Sequence, residues 1–204
     1  MELRDAFDQI ASIRTHLAAT ERLRSLRAVP VALSGGLALF AAALQALQVP
    51  EPLRTPGQYL LLWLGVAAIS TLAAGLELLR RVRGSGSGLG AANAVVALQQ
   101  FAPCLLAGAI ATAAIAARVD GPLWLLPGLW QLFFGLGVLA AHRLLPPGAF
   151  AVGAGYLCCG ALTASLGERA LSPWAMGLPF ALGQGVLAAM LWWHHERACA
   201  EVRR

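Results

Sequence analysis

Lysine is absent from this chain, and charge of either sign is sparse. Asp, Glu, Lys and Arg make up 12% of the 204 residues, all 15 cations are Arg, and apolar side chains account for 58%. A water-soluble domain with that balance would hold several helices with too little polar surface to cover them, whereas lipid removes the need for a cover. The formal charge of +5 and the pI near 9.7 raise nucleic-acid binding. The Arg residues, however, border long apolar intervals, where they orient helices and meet anionic headgroups. No nucleic-acid partner is expected.

Other signals are missing too. The four cysteines, Cys104, Cys158, Cys159 and Cys199, form neither a CxxC pair nor a metal-ligand spacing, so they read as small packing residues, and neither metal nor cofactor is expected. Gly84-Ser85-Gly86-Ser87-Gly88 lacks the GxxxxGK[ST] pattern of a phosphate-binding loop and reads as a flexible connection. Met1 to Arg27 carries Glu2, Asp5, Asp8, Glu21 and five Arg ahead of any long apolar run, unlike a cleaved signal peptide. Within it Leu3, Phe7, Ile10, Ile13 and Leu17 recur every three or four residues, which predicts a retained amphipathic helix able to lie on a bilayer or dock a cytoplasmic protein.

What is present is a series of apolar runs. Residues 91 to 117 form the longest, and at 1.5 Å per residue they suffice to cross a hydrocarbon layer of about 30 Å. Further spans are expected at 28–49, 58–79, 122–141, 149–167 and 173–193, separated by Pro- and Arg-rich boundaries. The fold class is therefore all-α: a compact polytopic membrane bundle of about six transmembrane helices, preceded by the amphipathic helix. The expected layout is a cytoplasmic segment at 1–27, a six-helix membrane domain at 28–195 and a cytoplasmic tail at 196–204. Gly35-Gly36 in the first span and Gly153, Gly155 and Gly160 in the fifth predict close helix contacts. Pro127 is expected to bend the fourth span.

Polar residues inside the spans supply the candidate functional set. Taking 100 degrees per residue, Asn93, Gln100, Cys104 and Ala111 share one face of the third span with Gly108 beside them. Amides in hydrocarbon are costly without partners, so this face is either a packing seam or part of a polar route. Gln131 stands eleven residues before His142, and Gln184 eleven before His195, so each pair returns to nearly one face. Glu77 precedes Arg80-Arg81 and is either an ion-pairing boundary residue or an inward carboxylate. The polar pocket to test thus comprises Glu77, Asn93, Gln100, Gln131, His142, Gln184 and His195. The two Gln-to-His spacings fall in spans four and six, not at matching places in opposite halves, which weakens an inverted-repeat transporter reading.

With the N-terminus in the cytoplasm, 12 Arg fall on the cytoplasmic side and three, at 54, 118 and 169, on the other, so both termini are expected inside. The charged amphipathic start, the Pro-rich boundaries and the six apolar spans together resemble small, poorly characterised six-helix bacterial inner-membrane proteins. That resemblance implies a bacterial cytoplasmic membrane location and transfers no activity to any residue. The leading expectation is a non-enzymatic accessory or interaction protein, with a membrane-protein partner or a second copy and the lipid bilayer as its surroundings. The alternative is a small-solute transporter or channel using the polar residues. A membrane enzyme would need Glu77 and a histidine brought together, because no nucleophile or catalytic spacing is visible.

Overall fold

The computed structural model describes residues 28–48, 56–84, 88–118 and 121–202. The amphipathic segment predicted within 1–27 lies outside them. Among the described residues the chain forms six α-helices: α1 (Ala28–Gln48), α2 (Pro56–Gly84), α3 (Gly88–Ala116), α4 (Leu126–Ala141), α5 (Ala149–Ser165) and α6 (Pro173–Val202). Short 3-10 turns at Leu123–Leu125, His142–Leu144 and Gly167–Leu171 carry the chain between the later helices. Five helical stretches are long and apolar enough to cross a membrane, and α5, at 17 residues, is shorter but apolar throughout.

The helix boundaries follow local chemistry. Pro127 occupies the first turn of α4, where a missing N–H costs nothing, so it starts the helix instead of bending it. The turn Leu123–Leu125 takes up the stretch that the apolar pattern assigns to the start of span four. Gly148 leads into α5 at φ 99°, a backbone conformation that side chains with a Cβ avoid. Helix α6 continues unbroken past the Trp192-Trp193 border to Val202.

Two antiparallel pairs make the most extensive contacts, α1 with α6 and α4 with α5. In the α4–α5 pair, Gly128 and Gly135 oppose Gly160 and Gly153, each couple seven residues apart. A Cβ on Gly128 would lie 2.8 Å from the Gly160 carbonyl oxygen and the Ala164 nitrogen, and one on Gly135 would lie 2.9 Å from the Gly153 oxygen. The backbones therefore meet directly, as small-residue faces allow in lipid. In the α1–α6 pair, Gly35 meets Gln184 and Ala181, while Ala38 and Ala42 meet Gly177. The neighbouring Gly36 and Gly155, expected at contacts, face open space. One position along a helix turns a residue about 100 degrees, which separates a contact glycine from an exposed one.

Rings tie the two pairs together in the middle of the bundle. Phe134 of α4 touches Phe101 of α3, Tyr156 of α5 and Phe180 of α6 at centroid separations of 5.0 to 5.2 Å. Phe101 lies over Gly137 and the Tyr156 ring over Gly183, so each glycine makes room for an aromatic face.

Replacing Gly160 with Val should destabilise the bundle by about 1–3 kcal/mol through overpacking against backbone, whereas Gly155→Val should stay within about 0.5 kcal/mol of the parent. Unfolding of the purified protein in detergent, followed by circular dichroism, compares the two.

Candidate functional site

Among the described residues the densest polar grouping lies at the distal end of the bundle, where α1 ends and α6 begins. It begins with Gln45, which continues the α1 face formed by Ala38 and Ala42. Gln45 is 1% exposed. Its Nε2 donates to the Leu171 carbonyl at 2.9 Å, and its Oε1 accepts from Trp63 Nε1 at 2.8 Å. One amide thereby joins α1, α2 and the turn before α6, and both ends of the amide are used.

Trp63 brings Tyr59, one turn earlier on α2, against the ring of Trp130, with planes 5° apart and centroids 6.4 Å apart. Trp130 Nε1 donates to Thr112 Oγ1 on α3 at 2.8 Å, and that hydroxyl donates in turn to the Gly108 carbonyl at 2.7 Å. Beside it Gln131, fully buried, donates from Nε2 to the Ala175 carbonyl of α6 at 2.9 Å and accepts from Thr163 Oγ1 of α5 at 3.4 Å. Ala38, Ala41, Ala42, Leu171 and Met176 pack around these groups, with Trp124 and Phe180 partly buried against them. All six helices thus contribute to the distal core.

The sequence candidates separate. Gln131 belongs to this distal core, and Gln184 is buried nearer the centre with its Cβ against Gly35. Gln100 is exposed, because the packed face of α3 runs through Ala97, Phe101, Cys104, Gly108 and Thr112, one position away from it. His142 sits at the opposite, proximal end, where its Nδ1 lies 2.5 Å from the Leu139 carbonyl and its ring meets Phe150 edge-on. Glu77 is half-buried on α2 and has an interacting partner. Asn93 lies on α3 and His195 on α6, and their side chains are outside the described residues. The described candidates thus do not gather into one pocket.

The distal core contains amides, indoles and hydroxyls, and none of its hydrogen-bonding side chains carries a charge. It can hold helices and hydrogen-bond a neutral group; among the described residues no carboxylate or imidazole joins its hydrogen bonds. Among the described residues, no three of His, Cys, Asp and Glu converge. Gln45, Trp63, Thr112, Trp130 and Thr163 are absent from the predicted pocket, although an amide inside the first span was a readable demand for partners. The bonds of Trp63 and Trp130 depend on helices distant in sequence, and Trp residues near span ends read equally well as interfacial anchors.

Gln45→Leu should cost about 1–3 kcal/mol because it leaves Trp63 N–H and the Leu171 carbonyl without partners, while Gln100→Leu should shift stability by less than about 0.5 kcal/mol. Detergent unfolding with tryptophan fluorescence as the readout distinguishes them.

No family model matches the chain, and comparison with curated proteins and with solved structures finds no similar protein.

Proposed function

We propose that the chain is a non-enzymatic accessory subunit of a membrane complex. The use of its amides carries this reading. Gln45 and Gln131 each bind a carbonyl and a side chain of other elements. Groups committed to joining helices are not free to pass a solute along a route. Small-solute transport, the competing reading, calls for those same groups to line a shared path. The broad apolar faces of α2 and α3 offer a surface to a membrane-protein partner or a second copy. The segment 1–27 supplies a docking element for a cytoplasmic protein.

The topology that accompanies this reading has six crossings and both termini in the cytoplasm of a bacterium. Helix α5, 17 residues or about 25 Å long, pairs with α4 through glycines spread along both helices, which supports its counting as a full crossing. The 12-to-three distribution of Arg supports the orientation.

Crosslinking in native membranes, followed by mass spectrometry, should recover one reproducible neighbour, and purified protein in proteoliposomes should give no flux across a panel of small solutes. A strictly monomeric chain with robust flux of one solute would overturn the accessory reading. Reporter fusions at Met1 and Arg204 should both be active only as cytoplasmic reporters; an external signal from either end would refute the six-crossing topology.

A further inference from the structure

Helix α2 carries a stripe of Tyr59, Trp63, Val66, Ser70, Ala73 and Glu77, spaced by threes and fours and all buried or half-buried, of which Tyr59, Trp63 and Val66 pack into the core. Measured from the centre of the span Gly57–Arg80, Ser70 stands about 2 Å from the mid-plane, with Tyr59 about 14 Å toward the distal end and Glu77 about 13 Å toward the other. The Ser70 and Tyr59 hydroxyl oxygens are sealed from solvent and have no hydrogen-bond partner. This is unusual within the same bundle, since Ser34, Thr112 and Ser165 donate to carbonyls three or four residues back on their own helices. At mid-plane depth no lipid headgroup can reach Ser70, so its docked position carries an unmet polar group.

Little opposes that penalty. Only 11% of the span of α2 is buried, the lowest share among the candidate spans, against 17% for α3, 33% for α1 and 39% for the span containing α4. The large buried rings of α2, Tyr59 and Trp63, lie near its distal end. Gly65 and Gly75 meet no neighbour, and contact with α3 is slight although the two helices are consecutive.

We propose that α2 is the moving wall of the bundle. It tilts about the Trp63–Gln45 hydrogen bond, and the tilt opens the stripe from Ser70 to Glu77 to water. Trp63 lies between the two orphan hydroxyls, so one motion changes the surroundings of both. Water admitted to the stripe supplies the partner that Ser70 lacks, and the docked and open positions of α2 are balanced by weak packing against that hydration. This holds whether or not a partner subunit binds the outer surface.

The test uses the full chain in membranes with Cys104, Cys158, Cys159 and Cys199 replaced by Ala. Single cysteines are placed at Ala73, on the stripe, and at Leu72, its lipid-facing neighbour at nearly the same depth. A charged, water-soluble methanethiosulfonate should modify Ala73→Cys and leave Leu72→Cys unmodified. Adding Ser70→Ala should slow modification of Ala73→Cys at least about fivefold, because a methyl group removes the penalty on the docked position, and should not lower the unfolding temperature. Ala73→Cys as inert as Leu72→Cys, or a rate indifferent to Ser70→Ala, would overturn the proposal.

Discussion

A buried amide in an apolar surrounding has no water to fall back on, and the distal end of this bundle is arranged around that requirement. Gln45 must find both an acceptor and a donor inside the protein. It finds them in the Leu171 carbonyl and the Trp63 indole, and in doing so fixes where α2 and the turn before α6 sit relative to α1. The position of Trp63 then sets the neighbouring Tyr59 against Trp130, and Trp130 reaches Thr112 on α3. Gln131 repeats the logic for α4, α5 and α6. Two amides thereby orient an aromatic core whose apolar contacts alone would be far less directional.

Backbone proximity is the second constraint, and it acts unevenly. The glycine pairs of α4 and α5 exclude a methyl group on either side, so that interface has one register. The α1–α6 pair shares this character through Gly35 and Gly177. Helix α2 lacks a comparable seam, since Gly65 and Gly75 touch nothing, whereas α3 is held on α4 by the Phe101 ring lying over Gly137. The result is two firmly seated pairs with α3 packed on α4, and α2 as the more loosely held helix. Displacement at the loosely packed side breaks few contacts.

The chain's apolar runs made the helices legible. Each expected apolar run falls on one of the helices α1 to α6, five of which are long and apolar enough to cross a membrane, because a helix satisfies its backbone internally without help from the rest of the chain. Connections were legible for the same local reasons, through Pro-rich and charged boundaries. Pro127 was the exception, since its effect depends on which residue begins the helix. The candidate pocket was less legible. Gln131 and Gln184 are buried, but Gln100 points outward, and its predicted companion Cys104 belongs to the packed face.

The sequence by itself determined that this protein is built of long apolar helices with charges confined to their borders, because hydropathy and length are properties of each segment alone. Only the tertiary structure decided which of two adjacent glycines makes a contact, which amides become fasteners, and that α2 keeps two hydroxyls without partners. Those outcomes depend on how each helix is rotated about its axis against neighbours distant in sequence. A rotation of one residue, about 100 degrees, leaves the apolar pattern unchanged and exchanges a buried side chain for an exposed one.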